Sequence, residues 1–401
     1  MHKVDAKDPV QYKGAKGSNQ SGIRDHNERL LLTVLRRHGA MAKADIARLT
    51  GLSAQAVTNI MRRLEADGLI VKGEPQRGRV GQPSVPISLA ADGAYFWGLK
   101  VGRRSSQIVL TNFLGEVVAR ERRTHLYPTP EDTIRFARTS IADLAETLPD
   151  RLRDRIAGLG IAMPFNIWRW AREIDVAPEK MAAWRSFDMV DALSQFCGCP
   201  VYLENDASAA CGAELVFGDA ASPSNFLYYY IGYFIGGGVV LGGALYTGPT
   251  GNAGALGPQP VPDTDGSTSQ LLDVASLASL ERGLRARDLD TETLWNDAEA
   301  WDVPADLLDD WTEATATALC HSIVAALSII DFEAVLIDGW MPAELRRRLV
   351  ALIREKLDQT DMIGLNRPEL REGSVGSDAR VLGAASLPLS RRFLLEAPRA
   401  H

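Results

Sequence analysis

Gln55, Thr58, Asn59, Arg62 and Arg63, with Ala56 between them, follow Ser53 on one side of a short stretch. Amide and hydroxyl side chains can exchange hydrogen bonds with base edges, and guanidinium groups can hold phosphates, so these types in one row suit contact with duplex DNA. A second cluster follows at Gln76-Arg77-Gly78-Arg79-Val80-Gly81-Gln82. It is basic, glycine-rich and poor in apolar residues, as a groove-probing or phosphate-gripping loop should be. Arg77, Arg79 and Gln82 are its candidate contacts.

Two helices must carry the first cluster. Ile46 and Leu49 mark the expected buried face of one, and Gly51 supplies the reversal after it. Ser53 is a good N-cap for the next, because its hydroxyl can accept from an orphan backbone N–H. Val57, Ile60, Met61 and Leu64 recur at helical spacing and define a buried side, opposite the polar row. Gly68 ends the helix and Leu69-Ile70-Val71 starts a strand. The pattern over Asp45–Gly81 predicts a winged helix-turn-helix, within a domain spanning 23–90. An ordinary helical hairpin packed on the body is the alternative. Charge separates the two: residues 1–90 carry 15 Lys+Arg against 8 Asp+Glu, whereas residues 91–401 carry 29 against 43. A basic head on an acidic body steers one end of the molecule to DNA, and the overall net charge of −7 does not argue against it.

The length of 401 residues suits several domains. No apolar run is long enough for a membrane span. Residues 1–22 are polar, lack the apolar core of a signal peptide and read as a disordered tail. Four cysteines, at 197, 199, 211 and 320, are too few and too irregular for a disulfide framework, so a cytoplasmic location is expected. Cys197-Gly-Cys199 could suggest a metal, but it has no CxxC partner and no nearby His.

Beyond a proline-bearing linker, Gly81–Pro86, strands alternate with helices. Strands are expected within Tyr95–Leu110 (two, joined at 103–106), Ile156–Met163, Val201–Glu204 and Ala334–Asp338. A β-ribbon with glycines at its turn is expected over Phe226–Gly243. Helices are expected over Glu131–Leu148, Asp206–Phe217, Leu307–Leu327, Ala343–Leu357 and Ala379–Leu389. This is an α/β body with mixed sheets.

The order of segments resembles the ROK family of repressors, open reading frames and sugar kinases. The motifs are the winged head, Gly158-Leu-Gly-Ile-Ala-Met-Pro164, Leu203-Glu-Asn-Asp-Ala207, Ile231-Gly-Tyr-Phe-Ile-Gly-Gly-Gly-Val-Val240, Gly251-Asn-Ala-Gly254 and Gly376-Ser-Asp-Ala-Arg-Val-Leu-Gly-Ala-Ala385. Each is weak alone, but their joint order over about 27–389 is specific. The resemblance implies a two-lobed, actin-like (ROK/hexokinase-type) body with lobes at 91–214 and 215–401, the last helix being able to return to the first lobe.

The departures from the family pattern carry as much information. Kinase members have an Asp and a Gly-Gly-Thr in the first hairpin; here the run is Lys100-Val-Gly102-Arg103-Arg104. A second Gly-Thr-Gly is replaced by Gly232-Tyr233-Phe234. Phosphate cradling needs the close backbone approach that glycine allows and arginine obstructs, so ATP in its usual pose is not expected. The family's Asn-Asp pair remains as Asn205 and Asp206, implying a carboxylate that binds a sugar hydroxyl; Asp206 would equally suit a helix N-cap. The family's Glu and His sugar contacts align with Ala255 and Pro258, and an Asn aligns with Glu179. Loss of that His, with no cysteine cluster after it, implies no structural zinc. Replacement contacts are offered by Asn166, Trp168 and Arg169, since rings stack on sugar C–H faces and guanidinium groups fork onto hydroxyls or acids. Trp184 could add a wall, and Asn252 and Gly254 lie where the family's loop closes over ligand. The tryptophans could instead pack at a lobe or dimer interface.

The resemblance thus implies a transcriptional regulator, with repressor favoured, for carbohydrate genes. It would have no cofactor and no kinase activity, bind a palindromic operator in double-stranded DNA as a homodimer or homotetramer, and be gated by a sugar or sugar derivative between the lobes. The alternatives are a constitutive DNA-binding regulator and an active sugar kinase with an appended head.

Overall fold

A computed structural model describes residues 20–75, 85–171, 176–219, 223–262 and 267–395. The head consists of α1 (Gln20–His38), β1 (Met41–Ala42), α2 (Lys43–Thr50), α3 (Ala54–Ala66), β2 (Ile70–Lys72) and β3 (Pro86–Leu89). Its sheet has the order β1-β3-β2, all antiparallel. Helix α1 includes residues 20–22, which the sequence reading places in the tail; residues 1–19 lie outside the described residues. Ser53 caps α3 through a 3.2 Å bond from the Ala56 N–H, and Val57, Ile60, Met61 and Leu64 are buried. Leu49 corrects the sequence expectation: it is 43% exposed, and Ile46 alone anchors α2.

The body contains two sheets of one design. The first lobe has β4 (Tyr95–Val101), β5 (Ser105–Thr111), β6 (Val117–Thr124), β7 (Ile156–Ala162) and β8 (Val201–Glu204), in the order β6-β5-β4-β7-β8. The second has β9 (Phe226–Ile231), β10 (Ile235–Leu241), β11 (Ala244–Tyr246), β14 (Ala334–Gly339) and β15 (Glu369–Glu372), in the order β11-β10-β9-β14-β15; the small hairpin of β12 (Pro260–Pro262) and β13 (Thr268–Gln270) stands apart. In each sheet three antiparallel strands are followed by two parallel ones. This duplicated mixed sheet is the actin-like fold.

Helices cover the sheets. The first lobe carries α4 (Pro130–Ala145), the one-turn α5 (Asp150–Arg153) and α6 (Pro178–Met181), α7 (Met189–Cys197) and α8 (Asp206–Phe217). The second carries the one-turn α9 (Leu271–Val274), α10 (Leu277–Ala286), the one-turn α11 (Thr293–Asn296), α12 (Ala305–Leu327) and α13 (Ala343–Gln359). The turn of the β-ribbon is Gly232-Tyr233-Phe234, and Gly236–Gly238 lie within β10 instead. A Cβ on Gly238 would sit 2.4 Å from that of Cys211 on α8, which is why the strand is bare there.

The final helix, α14 (Ala379–Phe393), leaves the second lobe and lies against β4, β7 and α8. Its seat is lined with glycine. A Cβ on Gly160 would fall 1.8 Å from the Ala384 carbonyl oxygen, and one on Gly383 would fall 1.9 Å from that of Ala209. Backbone-to-backbone packing of this kind leaves no slack. Beyond the seat, Leu389, Phe393 and Leu394 join Leu31, Leu32 and Leu35 of α1 in one hydrophobic cluster, so head and body share a core.

Candidate DNA-reading head and interlobe site

Gln55, Asn59 and Arg62 are exposed on the outer side of α3, with Ala56 and Thr58 half-buried beside them. Gln55 donates to Asn59 at 3.4 Å, and Thr58 returns its hydroxyl to the Ala54 carbonyl at 2.6 Å, so the row is ordered along one helix face. Arg63 differs from its neighbours. Its Nε and Nη2 both lie 2.7 Å from Glu28 of α1, so it braces the head. Arg77, Arg79 and Gln82 lie outside the described residues.

The cleft between the lobes is closed by cations and rings. The hairpin between β4 and β5 presents Arg103 and Arg104 to the second lobe. The guanidinium of Arg103 sits 3.0 Å from the Trp170 ring centroid, 4.2 Å from Phe234 and 5.6 Å from Tyr233. Trp170, on the 3-10 turn Ile167–Trp170, packs at 4.4 Å on Phe234. Arg104 pairs with buried Glu281 of α10 at 2.6 Å. Lys100 is buried and donates to the Ser105 hydroxyl and carbonyl at 2.8 and 3.0 Å. Burial pulls its ammonium well below the usual lysine range, and the Arg380 and Arg122 charges add to the fall. The side chains of the two hairpin turns, Arg103 from one and Tyr233 and Phe234 from the other, therefore meet across the cleft.

Asp206 opens α8 at its first turn, and Arg380 approaches its carboxylate at 3.4 Å from the start of α14. Asn205, not Asp206, is the N-cap: its side-chain oxygen accepts from the Ala207 N–H at 3.1 Å and faces that of Ser208 at 3.5 Å. The carboxylate of Asp206 is thereby left for other partners. Asn166, Arg169 and Asn252 are exposed. Their two loops approach each other where Gly251 lies close under the Phe165 ring. Trp168 is half-buried against the first-lobe core. Gly254 is left-handed at φ 78° and packs on the Gly238 backbone, a structural reason for glycine there. Glu179 is exposed on α6. Trp184 corrects the expectation of a cleft wall. It is buried, donates its indole N–H to the Pro128 carbonyl at 2.9 Å and meets Phe187 edge-on.

Sequence reasoning missed Arg122 and Arg380. Arg122, on β6, donates to the Asn296 carbonyl at 3.0 Å and to that of Trp295, and lies 4.5 Å from the Trp340 ring. A charged residue on an outer strand carries no local mark of such a destination. A cavity of about 330 Å³ lies outside the cleft, at the junction of head and body, bordered by Arg36, Arg37, Gly212, Leu245, Ser386 and Ser390.

A helix-turn-helix head joined through a shared core to a duplicated, sugar-kinase-like body defines a DNA-binding transcriptional regulator. A model described as winged helix-turn-helix DNA-binding matches residues 24–71, and the ROK family model matches residues 96–391. The chain belongs to the ROK family. It is 25% identical over 371 residues to the uncharacterized protein y4fQ of Sinorhizobium fredii, covering 92% of this chain and 91% of that one. It is 26% identical over 240 residues to the xylose repressor of Bacillus subtilis, covering 60% of this chain and 62% of the repressor, so the match spans about three fifths of that relative. Among solved structures, a ROK family transcriptional regulator homologous to the E. coli MLC protein superposes with a TM-score of 0.65 at 20% identity, covering 92% of this chain and 97% of the other. A ROK family glucokinase from Streptomyces griseus, solved with glucose and AMPPNP, gives a TM-score of 0.56 at 19% identity over 73% of this chain and 99% of that enzyme.

Proposed function

We propose that the protein is a repressor of carbohydrate-metabolism genes whose grip on a palindromic operator is set by a sugar or sugar-derived ligand between the lobes, and that it lacks kinase activity. The observation that carries this reading is the span of α14. At its start Arg380 meets Asp206. At its end Phe393 packs edge-on against Phe113 at 5.0 Å, and the Arg36 guanidinium of α1 lies 5.5 Å from the same ring. Fifteen residues of helix make a rod of ~22 Å from cleft to head. Because its glycine seat has no slack, a change at Asp206 and Arg380 is passed to α1 as movement of a rigid body.

The xylose repressors among the relatives support the choice of repressor and of a sugar ligand. In a dimer, two heads would straddle two half-sites, and ligand would change their spacing. The absence of kinase activity is supported by Arg103 and Arg104 in one phosphate loop and Tyr233 and Phe234 in the other. A constitutive DNA-binding regulator is the second reading, favoured by the rings and cations that fill the same cleft.

Fluorescence anisotropy on an operator selected from random duplexes, repeated across a sugar library, tests the proposal. The expected result is one ligand that changes DNA affinity ~5–150-fold, an effect lost in Asp206→Ala. DNA binding that no ligand shifts would favour the constitutive reading. Sugar-dependent ATP hydrolysis would overturn the non-enzymatic one.

A further inference from the structure

Lys100, Arg103, Arg104, Arg122 and Arg380 converge with Tyr233, Trp295 and Trp340 on one small cavity of about 20 Å³ at the base of the cleft. We infer that this cavity binds the anionic group, phosphate or carboxylate, of a small-molecule effector. The inference rests on the ligand-gated reading above and specifies the ligand's chemistry.

Charge is the first argument. Of Lys100, Arg104, Arg122 and Arg380, two are met directly by carboxylates among the described residues: Arg380 by Asp206, and Arg104 by Glu281, which also holds Arg285. Asp378 and Asp297 act on Arg122 from further away, and Asp378 is bonded to Arg120. Among these four and the described carboxylates positive charge is left in excess, behind aromatic walls where the local dielectric is low and repulsion is strong. An anion there would relieve it.

Unused donors are the second argument. The Nε groups of Arg104, Arg122 and Arg380 and the indole N–H of Trp295 are buried with no hydrogen-bond partner among the described residues. Buried donors are rarely left so. Arg380 spends one terminal nitrogen on Asp206 and Arg122 spends both on backbone carbonyls, so the Nε edges remain for a ligand.

Size sets the pose. The cavity has room for roughly one water-sized group. An acid group would enter it end-on, with slight parting of the lobes, and the polyol part would extend towards Asp206. This is unlike a nucleotide cradle, where backbone amides and glycines approach the phosphates: here long side chains supply the donors.

The test uses the full chain in scanning fluorimetry and titration calorimetry, at matched ionic strength, with sodium phosphate, glucose 6-phosphate, gluconate and glucose. At least one anion should raise the unfolding midpoint and bind about tenfold or more tighter than glucose. Phosphate alone would indicate a free oxyanion, glucose 6-phosphate a phosphate ester, and gluconate a carboxylate. Arg122→Gln and Lys100→Met should each weaken that binding about tenfold or more, while Arg120→Gln, outside the cavity, should not. Lys100→Met removes a buried charge and should fold at least as well as the parent. Glucose binding as tightly as both its phosphate and its acid, no binding of any anion, or binding unchanged in both cavity variants would overturn the inference. A neutral sugar that alters DNA affinity would leave the proposed function standing without this site. An anion that binds here and leaves DNA affinity unchanged would leave the site standing without gating.

Discussion

The guanidinium of Arg103 lies 3.0 Å from the centroid of the Trp170 ring and 4.2 Å from that of Phe234, so one first-lobe side chain is held between rings of both lobes. In a kinase of this fold the hairpin would be free to cradle phosphate; here it latches the cleft. Desolvated cation–π contacts are worth ~2 kcal/mol. Trp170→Ala should therefore lower stability by about that amount and loosen lobe closure. Scanning fluorimetry and the solution radius of gyration would check both, and an unchanged radius would show that other contacts hold the lobes.

In the head, Arg62 and Arg63 should behave differently although they are adjacent. Arg62 is exposed on the reading face, so Arg62→Ala should weaken DNA binding, reduce the salt slope by about one and leave the melting point unchanged. Arg63→Ala breaks the brace to Glu28 and should cost ~0.5–1 kcal/mol of head stability. Anisotropy across a salt series and thermal melts separate the two. Arg79→Ala, in the basic loop that the sequence suggests as a second DNA contact, should resemble Arg62→Ala.

The seat of α14 gives the steepest structural prediction. In Gly160→Ala the new methyl would lie 1.8 Å from the Ala384 carbonyl oxygen and 3.1 Å from the Pro388 ring, so the helix itself would have to shift. The loss should be about 3 kcal/mol or more, at the upper end for overpacking. Chemical denaturation would measure it, and a loss below 1 kcal/mol would refute the rigid seat on which transmission depends.

His125 sets a pH window. Its ring nitrogen Nε2 lies 3.2 Å from the Ser106 hydroxyl, and burial, with Lys100 and Arg123 nearby, pushes its pKa down to about 4. The unfolded ring has an ordinary value of ~6.5, so the unfolded chain binds the extra proton first as pH falls. Stability should be full above ~6.5 and decline towards ~4, by on the order of 3 kcal/mol. His125→Gln should flatten that part of the stability curve. A parent curve that is already flat between these values would count against a buried neutral ring.

The sequence alone determined the head, the strand-helix alternation and the family, because those depend on local rules. Ser53 caps whatever lies behind it, and Val57, Ile60, Met61 and Leu64 face one way on any helix. It also located the departures, Arg103, Arg104, Tyr233 and Phe234, where glycine and threonine were expected. Only the tertiary structure decided what those departures do. Arg122 lies on an outer strand, Arg380 in the first turn of the last helix and Lys100 near the end of a first-lobe strand; nothing local marks them as partners, since their meeting depends on how two sheets and α14 pack. The same packing buried Trp184 and exposed Leu49, and the cap that Asp206 could also have supplied is made by Asn205. Periodicity fixes which side of an element is apolar, but it cannot say which distant elements will cover that side or what their charges will meet.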